Sequence, residues 1–389
     1  MSGSSRAGAS GDAPESGGRP AGASTAGDAT GGDTTGGGPL GEGRPDILLL
    51  SLGTTLGWRA ADAAFVDQLR RAGASVVATT VRIGASGRLR RAYPVTDLVE
   101  AVAARRALRS ALRRSRPSAL VISSTTAAML ADAEGVPYAV RLDAPARLNR
   151  PGVQNAGLHA LERRALARAR LVLPWSRAAL DALPDAAARA IVVPPPVVPS
   201  GGGATERERL AVAYIPDVKA KGLDIVCAAW AEAAVEDARL LVFGVEPDRA
   251  IAHLRRVGIP PPAAIEFLGK TPPSEFRAAL RRARAYVGGA RWEDFGMAPL
   301  EALADGALLV TVPSGGPFEA LAMARTLAPE LVADAVAPEP LAAALRAAFA
   351  LGPAEVERYR AEAAKLIEPY RPEAVQIAVK EEVLPALLG

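Results

Sequence analysis

Two acidic residues, Glu293 and Glu301, stand with seven residues between them, and a glycine pair, Gly315 and Gly316, follows with Glu319 three positions later. An ionised carboxylate accepts two hydrogen bonds from a vicinal diol, as in a sugar or ribose, but repels phosphate. A glycine-rich turn between a strand and a helix has the opposite preference, because free backbone N–H groups and the helix dipole both favour an anion. The stretch from Tyr286 to Glu319 therefore combines diol acceptors with phosphate donors, as a nucleotide-diphosphate sugar requires. The competing interpretation is an amphipathic helix whose acids are merely solvated.

The elements that position these residues follow from their neighbours. Pro299 suits the first turn of a helix that Gly306 closes, and 307–312 is a short apolar run of buried-strand type. The glycine pair is expected to open another helix, with Pro317 in its first turn.

Taken together, Glu293-x-Phe295-Gly296, Leu300-Glu301-Ala302 and Gly315-Gly316-x-x-Glu319 resemble the donor-site signature of the retaining family 4 (group 1) glycosyltransferases. The resemblance implies an α/β GT-B fold, in which two Rossmann-like domains face across a cleft and a C-terminal helix returns to the first domain. It also implies that Glu301 holds the ribose diol, that Glu293 lies by the transferred sugar, and that transfer retains the anomeric configuration without a metal or other cofactor. Lys221-Gly222-Leu223-Asp224 matches the second half of the family's Gly-Arg…Lys-Gly-hydrophobic-Asp join. The first half departs from it: Pro216 stands near the family's arginine, which leaves Lys219 as the candidate substitute.

The chain contains 389 residues, 49% of them hydrophobic, enough for two cores. Residues 1–43 are rich in Gly, Ser, Ala and Thr and read as a disordered tail. The domains are expected at 44–196 and 209–370, joined by a Pro- and Gly-rich linker at 197–208, with 371–389 crossing back. One cysteine, Cys227, excludes an internal disulfide and reads as a small buried apolar residue. Two histidines, His159 and His253, are too few for a His-based metal site, and no Asp-x-Asp occurs. No signal peptide or bilayer-length apolar run is present, so the protein is expected to be cytoplasmic.

Strands are expected at 46–52, 75–81, 118–124, 137–143, 170–176 and 190–196 in the first domain. The turn after the first of these, Gly53-Thr54, is either a phosphate or acceptor contact or a plain turn. Arg141 and Asp143 close the fourth strand where the family often has His-Asp; here the pair is Leu142-Asp143, and Arg141 either replaces the histidine's sugar contact or forms a structural ion pair. Residues 87–117 carry nine arginines against one Asp and one Glu, with Leu98, Val102, Leu108 and Leu112 at roughly helical spacing. Such a face is either simply solvated or drawn to the anionic inner face of the membrane. The implied partners are a nucleotide sugar and an unidentified acceptor, not nucleic acid. A sugar-nucleotide 2-epimerase or a non-catalytic nucleotide-sugar-binding protein are the alternatives.

Overall fold

The computed structural model describes residues 44–82, 95–201, 207–260 and 263–389. The proposed tail, residues 202–206 of the linker and Arg88, Arg90 and Arg91 lie outside them.

The first domain alternates strand and helix: β1 (Ile47–Ser51), α1 (Leu56–Arg71), β2 (Val76–Thr80), α2 (Val95–Ser115), β3 (Ala119–Ser123), α3 (Thr125–Ala128), β4 (Tyr138–Leu142), α4 (Ala146–Asn149), α5 (Ala156–Arg168), β5 (Leu171–Pro174) and α6 (Arg177–Asp181). All its strands are parallel, in the order β2-β1-β3-β4-β5. Parallel strands covered on both faces read as continuous apolar runs, and β1 (ILLLS) and β3 (ALVIS) are buried at every position. Each fully buried leucine in such a strand contributes about 2 kcal/mol of transfer free energy.

The second domain repeats the plan with β6 (Glu208–Tyr214), α7 (Leu223–Ala233), β7 (Arg239–Phe243), α8 (Pro247–Arg256), β8 (Ile265–Gly269), α9 (Pro273–Arg282), β9 (Ala283–Gly288), α10 (Met297–Ala304), β10 (Leu308–Thr311), α11 (Glu319–Leu327), α12 (Pro338–Ala350) and α13 (Pro353–Ile367). Its parallel order is β10-β9-β6-β7-β8. Cys227 lies fully buried in α7, and burial pushes its thiol up to about 12, as suits an inert core residue.

The chain ends with α14 (Pro372–Ala378), a π turn at Val379–Val383 and α15 (Leu384–Leu388). Val375, Val379, Val383 and Leu387 recur every fourth residue and join the cluster of Ile47, Leu49, Phe65 and Leu69. The C-terminal helix is thus core material of the first domain.

Three expectations are corrected. Residues 190–196 form no strand: Ala190 bridges to Val172, and the Ile191 and Val193 N–H groups donate to the Val172 and Pro174 carbonyls, but Pro174 has no N–H to return a bond and the prolines at 194–196 have none to continue the ladder. Gly315 and Gly316 do not open a helix, since α11 starts at Glu319 and Pro317 precedes it. In α2 the buried stripe is Asp97, Glu100, Ala101, Ala104, Leu108, Ala111 and Leu112, whereas Leu98 is 47% exposed. On its outer side, Arg105 and Arg109 approach Asp132 at 3.8 and 3.0 Å.

Candidate functional site

In an open parallel sheet, ligands bind beyond the carboxyl ends of the strands where the strand order reverses. In the second domain that point lies between β6 and β9, which pair directly while β7 lies on the far side of β6. The turn after β6 carries Lys221 and the turn after β9 carries Glu293. Their side chains meet across the switch point, Lys221 Nζ donating to Glu293 Oε1 at 2.5 Å.

Both turns are built for close approach. Asp217 accepts from the backbone N–H of Lys219 (2.9 Å) and Ala220 (2.8 Å), which winds the chain into α7. Gly222, at φ +64°, passes so near Gly289 that a Cβ would stand 2.0 Å from its carbonyl oxygen. Arg291 clamps the two turns together through Asp224 (2.9 and 2.6 Å) and the Lys219 carbonyl (3.0 Å). Lys219 itself is exposed, as is Pro216.

Gly315 and Gly316 serve the same end. Gly315 pairs with Trp292, its carbonyl accepts from the Glu293 N–H at 2.9 Å, and its own N–H donates to the Arg291 carbonyl. Gly316 has φ +95°, and a Cβ there would lie 2.2 Å from the Glu293 carbonyl oxygen. Gly296, at φ +82°, faces the Phe318 ring, where a Cβ would lie 2.8 Å from a ring carbon. These glycines seat the Glu293 loop, and the Gly315 N–H is already engaged within the protein.

Burial raises the Glu293 carboxyl above its ordinary range, while Lys221 pulls it back. The space around the pair, bounded by Tyr286, Ser314 and Phe318, is about 10 Å³, room for no more than one water. Any larger ligand must lie over the pair or part it.

Glu301, one-quarter exposed on α10, is held by Arg277 of α9 at 3.1 Å; burial raises its carboxyl and Arg277 opposes that. The same guanidinium grips Asp305 through Nε and an Nη, both at 2.9 Å, and donates to the Val198 carbonyl at 2.7 Å. Glu319, the first residue of α11, accepts from the Tyr370 hydroxyl. Burial raises it too, and that hydrogen bond opposes the rise.

Across from this site, the first domain reverses strand order between β1 and β3. The turns after those strands line a cavity of about 410 Å³ with Thr54, Ser124 and Thr126, which Asp143 and, from the second domain, Trp292 and Asp294 complete. Gly53 adopts φ +57°, its N–H donating to Ser51 Oγ and its carbonyl accepting from Arg59, so its polar groups serve the turn itself. Thr54 is exposed in the cavity. Asp143 accepts from the Ala144 N–H at 2.7 Å and from the Trp58 side chain. Burial first, then the charge of Asp294, pushes its carboxyl up to about 7.

Arg141 is absent from this cavity. It is fully buried, bonded to Asp62 at 2.9 Å, with its guanidinium 4.8 Å from the Phe65 ring centre and 4.7 Å from that of Trp175. Asp62 also accepts from Ser51 and Ser123. Of the two roles open to Arg141, the structure shows the ion pair.

Sequence reasoning missed Arg277, Tyr370, Trp58 and Asp294. Asp294 sits inside the signature and could have been noticed as an extra acid; the others lie far along the chain from their partners, with no local mark.

Residues 203–366 match the family model described as Glycosyl transferases group 1. No curated protein matches the sequence. Among solved structures, a sucrose-phosphate synthase from Thermosynechococcus elongatus is similar with a TM-score of 0.66 at 15% identity, over 86% of this chain and 97% of that one. WaaG, a glycosyltransferase involved in lipopolysaccharide biosynthesis, aligns at 0.63 and 15%, over 86% and 100%. Anabaena HepE, in complex with UDP-glucose, aligns at 0.63 and 14%, over 87% and 98%. At these identities the likeness establishes the fold: two Rossmann-like domains of GT-B type.

Proposed function

We propose that this chain, whose residues 203–366 match the glycosyl transferases group 1 model and whose fold is that of GT-B glycosyltransferases, transfers a sugar from a nucleotide-diphosphate donor to an acceptor with retention and without a metal. One observation carries the proposal: the Lys221–Glu293 pair stands at the switch point of the second sheet.

The pair resolves an electrostatic conflict. An unpaired carboxylate would repel the diphosphate, whereas one neutralised by an ammonium group can accept sugar hydroxyls while the ammonium meets phosphate. As the bond from the anomeric carbon to the diphosphate breaks, negative charge grows on the leaving oxygen, and a fixed cation there stabilises the transition state more than the ground state. The acceptor oxygen would bond to the same face of that carbon and its proton would pass to the departing phosphate oxygen. In this scheme Lys221 stabilises the leaving group, with exposed Lys219 as a second cation, and Glu293 positions the sugar. Glu301 takes the ribose diol with Glu319, Gly296, Gly315 and Gly316 shaping the same wall, and the acceptor enters the cavity lined by Thr54 and Asp143.

The division of labour between the glutamates tests this. Leaving a hydroxyl unpaired costs about 1–3 kcal/mol, or roughly 5- to 150-fold in affinity. Glu301→Ala should weaken both free nucleoside diphosphate and full donor by that order in calorimetry. Glu293→Ala should leave nucleoside diphosphate affinity close to wild type and depress turnover, because a misplaced sugar raises the barrier. Equal losses of nucleotide affinity in the two variants, with parallel losses of turnover, would contradict the assignment.

A further inference from the structure

We propose that Arg277 and Tyr370 are positioning residues that couple donor-site occupancy to the two places where the chain crosses between domains. The inference rests on the donor-site assignment above and concerns how that site communicates.

The crossings are the exit at 197–201 and the return at 368–372. At the exit, Arg277 donates to the Val198 carbonyl at 2.7 Å while its other groups hold Glu301 (3.1 Å) and Asp305. Asp305 in turn accepts from the Ser200 N–H and hydroxyl, both at 2.7 Å. One planar guanidinium, 14% exposed, thus links a donor-site carboxylate directly to the linker backbone. Its donors lie in a rigid fork, so a displacement of Glu301 cannot be absorbed without turning the groups that hold Val198 and Asp305.

The return crossing repeats the arrangement independently. The Tyr370 hydroxyl donates to Glu319, while its backbone carbonyl accepts from the Val197 N–H at 2.7 Å, joining the two crossings to each other. The ring stands 6.4 Å from that of Phe295, which lies 5.7 Å from Trp175 of the first domain. Both Glu301 and Glu319 are therefore bonded to side chains that also bear on a crossing. A diol taken up by Glu301 competes with Arg277 for the same carboxylate, and any such change in bonding is felt at Val198 and Ser200. Coupling of this kind is reciprocal: a linker held in one conformation favours one state of the donor site.

The amides of Val197 and Ser200 report directly, since each is bonded to a member of the network. Hydrogen exchange is measured on the wild type, Tyr370→Phe and Arg277→Lys, each free and saturated with UDP, GDP, ADP or dTDP, with binding followed by calorimetry. Tyr370→Phe keeps the ring and the carbonyl; Arg277→Lys keeps the charge and loses the fork. In the wild type, the nucleotide that binds should change exchange at these amides by roughly tenfold, the scale of one charge-assisted hydrogen bond. Both variants should still bind it while losing most of that response. Binding that leaves linker exchange unchanged in the wild type, or variants that keep the full response, overturns the coupling alone. Failure of all four nucleotides to bind the wild type overturns the donor-site assignment and the coupling together.

Discussion

Replacing Asp143 by asparagine should stabilise the protein increasingly as pH rises. Asparagine has the same shape, and its amide oxygen can accept from the Ala144 N–H as Asp143 Oδ1 does. What it removes is a charge that burial and Asp294 resist, which pushes the carboxyl from 3.8 up to about 7. An acid whose folded value lies above its unfolded value binds its proton more tightly when folded. Its contribution to stability is therefore present below pH 3.8 and is lost as pH rises through about 7. The full separation corresponds to about 4 kcal/mol. Screening by water on the open side of the cleft reduces that to about 1–2 kcal/mol. Thermal unfolding of wild type and Asp143→Asn at pH 4.5 and pH 8 measures it. The advantage of the variant should grow between the two by about 1–2 kcal/mol, roughly 2–8 °C in Tm. An advantage that is constant with pH, or that shrinks toward pH 8, would refute the assignment of a half-buried, charge-opposed carboxyl.

Two further outcomes follow from the packing. Arg141→Met should destabilise the first domain by about 3–5 kcal/mol in denaturant unfolding, because it leaves the buried Asp62 charge without its cation. A loss below about 1 kcal/mol would mean that the serines alone satisfy Asp62. Gly316→Ala should cost at least about 1–3 kcal/mol in stability, since a side chain is forced into positive φ against the Glu293 carbonyl. It should also weaken nucleotide binding by displacing that loop; calorimetry showing unchanged affinity and an unchanged Tm would count against the packing role of Gly316.

Much of the fold was legible because it is local. Parallel strands buried on both faces announce themselves as apolar runs, and the Lys221-Gly222 turn and the paired glutamates are contiguous patterns. What failed was of two kinds. Burial along α2 could not be inferred from its leucines, because alanines fill the inner stripe and Asp97 and Glu100 share it. Partners distant in sequence were also invisible. Nothing near Arg141 indicates that Asp62, Phe65 and Trp175 enclose it, and nothing near Glu301 points to Arg277 on another helix. The glycine pair was recognised as necessary, but its main duty is to let two backbones touch, a fact of tertiary contact rather than of local turn type.

The central claim, that the β6–β9 switch point is a donor site with Lys221 as phosphate partner, is tested most directly by calorimetric titration of UDP-, GDP-, dTDP- and ADP-sugars in the presence of a chelator, into wild type and Lys221→Ala. The account predicts that at least one of these binds the wild type without metal, and that Lys221→Ala weakens it by about 1.5–3 kcal/mol, roughly 10- to 150-fold, for the loss of a charged hydrogen-bond partner. Binding that requires a divalent cation, or affinity unchanged in Lys221→Ala, would contradict it.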